Sequence, residues 1–428
     1  MVKTSNLEKF YKKTQGERIS IIAEVCNLGP EQVNLLKALV NPDFMKIMDG
    51  MIENVVGTFP LPLGIATNFI INGRERLVTM AIEEPSVVAA ASNAARMARP
   101  HGGFLADPVK SLMIGQVQLV DIDDPGKVID LLKKNETKIL SKANEQDPVL
   151  VKAGGGARRL EIFKIDTNLG VMLDVQLVVD CLDAMGANAV NTMAEKVSPL
   201  LEEITGGRSL LRIISNLAVH RVARARAVFD KELLGGSDVV ASILEAVEFA
   251  NNDMFRAATH NKGIMNGVSA VVRATGNDTR AVEAGAHAYA AWNHAYKPLT
   301  RYYSDKDGNL VGEIELPIAV GIIGGATKTH PVAQLCLQIM EIDGAQTLSQ
   351  TIAAVGLAQN LAALRALVSE GIQQGHMKLH AKNVVRMANI PEKYHERVIK
   401  EMVARGKVRI DTATDIFKDI TKNEKNTP

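Results

Sequence analysis

Residues 110–215 carry a regular succession of strand-like and helix-like patterns. Apolar and polar side chains alternate from Val171 to Asp180, which is typical of a half-buried strand. The pattern predicts, in chain order, a strand at 110–122, a helix at 127–142, strands at 160–165 and 171–180, a helix at 187–203 and a strand at 209–214. Glycines at 154–156 and 206–207 are expected in tight turns between these elements. This order is the split βαβ, or ferredoxin-like, arrangement, so we expect a small self-contained domain here.

The two flanking blocks, residues 1–109 and 216–371, are predicted to be rich in helix. Residues 86–99 have an Ala-rich helical composition, and apolar residues recur at helical spacing over 348–368. We expect the two blocks to form one larger domain into which the small domain is inserted, which makes the fold class α+β. The charged tail at 372–428 is predicted to be a short helical flap that closes as a lid.

Composition excludes several classes of function. The chain has 428 residues, and its 49 Lys and Arg nearly cancel its 48 Asp and Glu, so no general positive field favours nucleic acid. The three cysteines are odd in number and lie in apolar surroundings, which argues against a disulfide framework or a zinc site. The N-terminus does not resemble a signal peptide, and the most apolar stretch, 316–327, is shorter than the roughly 20 residues of a spanning helix. We therefore expect a soluble, cytoplasmic protein with no membrane partner.

The segment 256–267 (RAATHNKGIMNG), followed by 275–278 (TGND), combines charges in a way that is typical of enzymes. Arg256, Lys262 and Asp278 are the kinds of side chain that hold a carboxylate and stabilise a developing oxyanion. Because glycines interrupt the segment, we expect Lys262 to lie in a turn. Each residue also has a simpler interpretation: Lys262 as a solvated lysine, and Asp278 as an ordinary helix N-cap.

Glu83-Glu84-Pro85-Ser86 is a second candidate, because it directly precedes a predicted helix. Proline suits the first helical position, so Glu84 is expected at the start of that helix. From the spacing alone, a solvent-facing acidic cap is a simpler interpretation than a catalytic acid.

Two further motifs are weak when considered alone. His376 and His380 lie four residues apart, but no third metal ligand accompanies them, and surface histidines are the default interpretation. The segment 183–188 (DAMGAN) joins a predicted strand to a helix, where exposed amides can approach a pyrophosphate. No Gly-Xaa-Gly-Xaa-Xaa-Gly follows a strand, so a Rossmann fingerprint is absent.

These motifs together closely resemble class II 3-hydroxy-3-methylglutaryl-CoA (HMG-CoA) reductases. The likeness runs from 53–57 (ENVVG) to 375–377 (GHM) and covers almost the whole chain. It includes the Glu-Pro-Ser motif at 84–86, the 256–267 segment and the DAMGAN motif at 183–188, in the order of the family. The resemblance implies the α+β fold described above, with a large substrate domain, an inserted dinucleotide-binding domain and a C-terminal flap.

The resemblance also implies the catalytic residues. It selects Glu84 rather than Glu83 as the proton donor to the carbonyl oxygen. Lys262 would stabilise the oxyanion of a hemithioacetal, and Asp278 would lie between Lys262 and Glu84 and tune their charge. The Gly-His-Met motif selects His376, which would protonate the departing CoA thiolate.

Substrate and cofactor contacts follow from the same resemblance. Ser86 would contact the HMG portion, Arg256 would bind the terminal carboxylate of the substrate, and Asn266 would brace the lysine and the glutamate. A carboxylate at Asp147 would accept hydrogen bonds from the adenine ribose and would favour NADH over NADPH. The residues assigned to the cofactor are Asp147, Asp183, Met185, Gly186, Asn188 and Asn216.

The implied reaction is a two-step, four-electron reduction of HMG-CoA to mevalonate and CoA by two dinucleotides in succession, or its reverse. No metal is required. The family also implies a tight homodimer with its active site between subunits. Two alternatives remain from the residues alone: an enzyme that acts on another CoA thioester, and a non-catalytic binding protein derived from a reductase.

Overall fold

The computed structural model describes residues 59–369 and 381–425 without a gap, together with residues 4, 6–10, 13, 15–37, 47 and 50–52. Strands β1 to β10 are Leu63–Ile71, Arg74–Ala81, Phe104–Ala106, Leu112–Val120, Gly156–Thr167, Gly170–Asp180, Arg208–Ile214, Val222–Phe229, Thr300–Ser304 and Leu310–Pro317. Helices α1 to α16 are Gln15–Val25, Pro30–Lys37, Val87–Ala98, Pro125–Lys134, Glu136–Asn144, Pro148–Lys152, Ala187–Thr205, Lys231–Leu234, Ser237–Asn252, Met254–Ala274, Thr279–Ala290, Gly325–Thr329, Pro331–Ile339, Ala345–Val368, His395–Ala404 and Ile410–Lys425. Residues 381–387 are also helical.

The two blocks that were predicted to be mainly helical together contribute the strands of a six-stranded sheet. Its strand order is β2-β1-β3-β8-β10-β9, with β1 and β3 parallel and every other neighbouring pair antiparallel. The helical prediction was therefore incomplete, because it missed this sheet. The long helices α3, α10 and α14 dominate the composition of these blocks and conceal the strands between them.

The hairpin β1-β2 carried a sequence signal that the helical composition obscured. Asn72 and Gly73 join the two strands with φ of 50° and 75°, as a tight two-residue hairpin turn requires. The Asn72 side chain also exchanges hydrogen bonds with the backbone of Ala106 in β3, at 3.0 and 2.8 Å. An Asn-Gly pair between two apolar runs thus sets both the turn and its attachment to the next strand.

A four-stranded antiparallel sheet lies within residues 110–215, in the strand order β5-β6-β4-β7. The predicted strands and helices occur in the predicted order. One helix is corrected: the predicted helix at 127–142 divides into α4 and α5 at Asn135, whose side-chain amide donates to the Leu131 carbonyl at 2.9 Å. The short helix α6 was not predicted.

Separate groups of buried apolar side chains accompany the two sheets and the C-terminal helices. The largest lies between the six-stranded sheet and helices α3, α9, α10 and α14, and a second lies between the four-stranded sheet and α5 and α7. A third is formed within residues 381–416. Helix α14 is long and apolar enough to cross a membrane by length and composition, but 67% of its most apolar stretch is buried in the protein.

Helix α10 runs through the glycine-rich segment that was predicted to be a turn, so that prediction was wrong. It spans 21 residues and packs against α14. A Cβ at Gly267 would lie 2.9 Å from the Gln359 Cβ and 3.1 Å from the Val355 carbonyl oxygen. The glycine therefore permits close approach of two helices and does not break the helix.

Buried polar contacts hold one side of α10. The His260 Nε2 lies 2.6 Å from the Thr300 hydroxyl, which donates to the Asn360 Oδ1 at 3.0 Å. The next residue, Asn261, accepts from the Leu299 amide at 3.0 Å and donates to the Lys297 carbonyl at 2.9 Å. Since these side chains are buried, each bond is costly to lose, and the rotation of α10 about its axis is fixed.

Burial has a marked effect on His260. It lowers the pKa of the imidazole from its ordinary value of 6.5 to about 3, and the positive charge of Arg256 acts in the same direction. The folded protein therefore holds this histidine neutral across the physiological range.

We expect two glycines of α10 to respond in opposite ways to the same substitution. Gly267→Ala should lower the free energy of unfolding by about 1–3 kcal/mol, because its Cβ meets α14. Gly263→Ala is the matched control: its Cβ would meet only the Ala363 Cβ, at 3.9 Å, so it should raise stability by about 0.5–1 kcal/mol through helix propensity. Midpoints of urea unfolding distinguish the two, and equal effects would contradict the packing described.

We also expect His260 to make the protein less stable in acid. Below pH 6.5 the His260 imidazole is protonated in the unfolded chain, whereas in the folded chain it stays neutral until about pH 3. Stability should therefore fall as pH drops through this window, by up to about 1.4 kcal/mol per pH unit from this residue. His260→Gln should reduce the slope of unfolding free energy against pH. An unchanged slope in His260→Gln would show that the buried imidazole is not held neutral.

Candidate active site

Glu84 and Lys262 lie in direct contact although 178 residues separate them in the chain. The Lys262 Nζ is 2.7 Å from the Glu84 Oε2. The Asn266 side-chain amide is 3.4 Å from the other carboxylate oxygen. Lys262 and Asn266 are four residues apart on α10 and so share one face of the helix. The structure thus brings together three of the residues that sequence analysis selected.

The Lys262–Glu84 ion pair is exposed to solvent. The side chain of Lys262 is 60% exposed and that of Glu84 is 34% exposed. An exposed ion pair contributes only about 0–1 kcal/mol to stability. This ion pair therefore adds little to folding, and both charged groups remain accessible to a ligand.

The neighbouring acid, Glu83, lies near a different basic side chain. The Glu83 Oε2 lies 3.6 Å from the Arg273 guanidinium, near the C-terminal end of α10. The geometry therefore distinguishes Glu84 from Glu83 in the way that the sequence motif did.

Ser86 is at the start of α3 in an unusual conformation. Its φ is +75°, in the left-handed region that favours glycine, and its hydroxyl makes no capping hydrogen bond. The helix begins at Val87, so the prediction that Pro85 occupies the first helical position was wrong by two residues. A serine in this conformation is strained. Its hydroxyl is not used to cap the helix and remains available to a ligand beside Glu84.

Asp278 serves as the N-cap of α11, as its simpler interpretation predicted. Its carboxylate accepts from the backbone amides of Arg280 and Ala281 at 2.9 and 3.2 Å. Asp278, Lys262 and Glu84 are all described residues, and neither a hydrogen bond nor an ion pair joins Asp278 to the other two. The structure therefore does not bring Asp278 into direct contact with the Lys262–Glu84 pair.

Arg256 lies in the first turns of α10, six residues before Lys262. This spacing places it about 9 Å along the helix axis and about 120° around it from Lys262. Burial lowers the pKa of its guanidinium. Within the described part of the chain its guanidinium makes no ion pair. A partly desolvated guanidinium without a carboxylate partner is suited to bind one from a ligand.

The 183–186 turn connects β6 to α7 at the edge of the small sheet. Gly186 caps α7 with φ of 104°, and the helix has no side-chain cap. The first amides of α7 are therefore not taken up by a capping side chain and form a typical anion-binding site. Asn188 is exposed in the first turn of the helix. The Asp183 carboxylate instead accepts from the Ala345 amide at 2.8 Å, so it fastens the turn to α14.

The two other residues assigned to the cofactor lie near this turn or beside α11. Asp147 caps α6 by accepting from the Leu150 amide at 2.9 Å. Burial raises the pKa of the Cys181 thiol to about 12, and the negative charge of Asp147 acts in the same direction. Asn216 is exposed, and its carbonyl oxygen would lie 2.5 Å from a Cβ at Gly285.

Sequence analysis missed Arg221, which is 1% exposed and contacts the 183–186 turn. It donates to the carbonyl oxygens of Ala184 and Met185 at 3.0 and 3.3 Å. Sequence analysis also missed Asn277, whose Oδ1 accepts from the Gly321 amide at 2.8 Å. An arginine next to a strand gives no signal that it is buried, so only the structure reveals this contact.

Some expectations fall outside the described residues. His376 and His380 lie there, as does the 53–57 motif. Within the residues that are described, no group of three or more His, Cys, Asp or Glu side chains is arranged to hold a metal ion. Cys26, Cys181 and Cys336 are free thiols.

Comparison with known proteins gives a consistent result over most of the chain. The model of the hydroxymethylglutaryl-coenzyme A reductase family matches residues 14–381. A 3-hydroxy-3-methylglutaryl-coenzyme A reductase from Archaeoglobus fulgidus is 55% identical over 97% of this chain and 94% of its own length. A probable enzyme of the same name from Borreliella burgdorferi is 36% identical over 90% of this chain and 89% of its own length.

Solved structures agree with these matches. A 3-hydroxy-3-methylglutaryl-coenzyme A reductase from Streptococcus pneumoniae superimposes with a TM-score of 0.82 at 38% identity, covering 96% of this chain and 99% of that one. A class II enzyme from the same organism, bound to NADPH in open conformations, gives a TM-score of 0.80 at 38% identity over 96% of this chain and 100% of that one. With the Lys262–Glu84 pair in place, this chain belongs to the HMG-CoA reductase family.

Proposed function

We propose that the chain interconverts HMG-CoA with mevalonate and CoA in two successive reductions, each consuming one NAD(P)H and one proton. The observation that carries this proposal is the 2.7 Å contact between Lys262 and Glu84, on an open surface and with Asn266 beside it. Membership of the reductase family supplies the substrate class. The reaction takes four electrons in total, because a thioester passes through an aldehyde to an alcohol.

Lys262 is the electrophilic group of the proposed mechanism. Its ammonium donates to the carbonyl oxygen of the thioester and stabilises the negative charge that develops there. In the second step the Lys262 ammonium donates in the same way to the aldehyde oxygen. Because α10 is held by His260 and Asn261 on another side, the ammonium needs little reorganisation as the charge forms.

Glu84 is the proton donor for the alcohol oxygen, and Asn266 orients its carboxyl group. Glu84 reaches the same atom as Lys262 because the two are already in contact. His376 would return a proton to the CoA thiolate. Asp278 would act on the charge of the pair from the end of α11 and not by direct contact.

The remaining contacts position the substrate. Arg256 would bind the carboxylate at the far end of the HMG group through its unpaired guanidinium. The uncapped hydroxyl of Ser86 would donate to or accept from the same portion of the substrate. A ligand that bridges Arg256 and Lys262 must span the turn and a half of helix between them, which suits an acyl chain with charge at one end and a thioester at the other.

The residues around α7 fit a nicotinamide dinucleotide. A reduced nicotinamide dinucleotide supplies a hydride when bound. The uncapped start of α7 at Gly186 would hold its pyrophosphate, and Met185, Asn188 and Asn216 would line the site. Asp183 would act by fixing the turn.

We further propose that Asp147 favours NADH over NADPH, since a carboxylate repels a 2′-phosphate. One oxygen of Asp147 caps α6, which leaves the second for a ribose hydroxyl. Support for a nicotinamide cofactor in general comes from the pneumococcal relative, whose structure was determined with NADPH.

The proposed domain organisation follows the clusters of buried side chains. Residues 110–215 would form the inserted ferredoxin-like cofactor domain, and 1–109 with 216–371 would form the substrate and dimerisation domain. Residues 372–428 would be the flap that brings in His376. The exposure of Lys262 supports a homodimer with the site between subunits and a closing flap, because a reactive aldehyde must be kept from water. Free thiols are compatible with a cytoplasmic location.

The test is the loss of NADH absorbance on addition of HMG-CoA, with two adjacent glutamates as a matched pair. Glu84→Gln should lower kcat by about 100-fold or more, as should Lys262→Ala. Glu83→Gln should leave kcat nearly unchanged, because Glu83 faces Arg273. A larger loss in Glu83→Gln would overturn the assignment.

The same assay separates the alternatives. Turnover only with another acyl-CoA would favour a different thioester reductase, and ligand binding without turnover would favour a non-catalytic protein. A preference for NADPH in the wild-type protein would overturn the role of Asp147 alone.

A further inference from the structure

A short segment, residues 318–323, which is buried from 318 to 321, connects the candidate cofactor turn to the residues around Asp278. Ile318 and Val320 belong to the core of the six-stranded sheet, whereas Ala319 belongs to the core of the four-stranded sheet. The 318–323 segment therefore lies at the junction between the two cores. Its position cannot change without disturbing both.

The 318–323 segment is bonded directly to the 183–186 turn. The Ile322 amide donates to the Asp183 carbonyl at 2.9 Å, and Ile323 forms a parallel bridge with Ala184. A Cβ at Gly321 would lie only 2.4 Å from the Met185 nitrogen. The segment and the turn thus lie in van der Waals contact along their backbones.

Buried Arg221 makes hydrogen bonds to both the 183–186 turn and the 318–323 segment. Besides the Ala184 and Met185 carbonyls of the turn, it donates to the Val320 carbonyl at 2.5 Å. Its own carbonyl accepts from the Ile318 amide at 3.0 Å. One guanidinium therefore cross-links the turn and the 318–323 segment. Burying a guanidinium is costly unless its donors are paired, and here three backbone carbonyls accept from it.

The direction of these carbonyls determines the direction of the amides. In a planar trans peptide the C=O and the next N–H point in opposite directions. Holding the Met185 carbonyl toward Arg221 therefore fixes the plane of the peptide that leads into Gly186, the N-cap of α7, with its N–H directed away from Arg221.

Through Gly321 the 318–323 segment is also bonded to the turn before α11, which holds Asp278. The Gly321 amide donates to the Asn277 Oδ1 at 2.8 Å, and Asn277 directly precedes Asp278. The 320–321 peptide group thus bonds to Arg221 through its carbonyl and to the turn before α11 through its N–H, within one chain.

We propose that Arg221 is a positioning residue for the dinucleotide: it fixes the 183–186 turn against residues 318–323 so that the amides of α7 are oriented before the pyrophosphate arrives. This inference rests on the proposed function, since it concerns the same cofactor site. A site that is ordered in advance loses less entropy on binding, so the contribution of Arg221 appears as affinity for the dinucleotide. Arg256 and Lys262, which would hold HMG-CoA, have no contact with Arg221 among the described residues.

The test compares dissociation constants of NADH, NADPH and HMG-CoA for the full-length protein and its variants. Arg221→Lys retains the charge but cannot reach three carbonyls, so it should weaken binding of whichever dinucleotide the wild type prefers by about tenfold. Binding of HMG-CoA should be unchanged. Arg208→Met, which removes an exposed arginine of β7, is the control and should change neither constant.

A second variant displaces the same turn from another side, and the urea midpoint of each variant shows whether it is folded. Gly321→Ala keeps the guanidinium and pushes on the Met185 nitrogen, so it should give the same selective loss of dinucleotide affinity. Equal losses for dinucleotide and HMG-CoA, or unchanged dinucleotide affinity in a folded variant, would overturn the role of Arg221. A wild-type protein that binds no dinucleotide would overturn the proposed function as well, which separates the two failures.

Discussion

The rotation of helix α10 about its own axis is the constraint on which the candidate site depends. Buried hydrogen bonds of His260 and Asn261 fix one side of the helix, and the close contact of Gly267 with α14 fixes its distance from the core. Lys262 follows these anchors directly and must therefore project from another face, where Glu84 meets it. The free energy that holds the lysine in place comes from the buried anchors, because the exposed ion pair itself contributes little.

The 183–186 turn, the candidate cofactor site, is likewise held in place by buried contacts. Its backbone is held from behind by a buried arginine and by the 318–323 segment, and the amides at the start of α7 remain unused on the opposite side. In both places, buried contacts hold the backbone from the protein side, and the groups proposed to meet a ligand lie on another side, as an exposed ion pair in one case and as an uncapped helix start in the other. The 318–323 segment is also bonded, through Gly321 and Asn277, to the turn before α11 that holds Asp278.

The sequence predicted the elements of the small sheet well, because the alternation in β6, interrupted at Met172 and Val178, and the helical spacing in α7 are strong local signals. It was less informative where local and tertiary effects compete. The glycines of α10 indicated a turn, but they serve helix packing, and the Asn72-Gly73 hairpin was concealed by neighbouring helical sequence. Glu84 and Lys262 were selected through resemblance to a family, since a contact across 178 residues has no local pattern. Nothing in the sequence distinguished buried Arg221 from a surface arginine.

The most direct test of the central claim is a double-mutant cycle on kcat/KM for HMG-CoA with Glu84→Gln, Lys262→Met and the double variant. If the two side chains act as one catalytic unit, the double variant should be about as impaired as the worse single variant, because the first substitution already disables the pair. If the two losses multiplied instead, Glu84 and Lys262 would act independently, and the contact between them would not be the basis of catalysis.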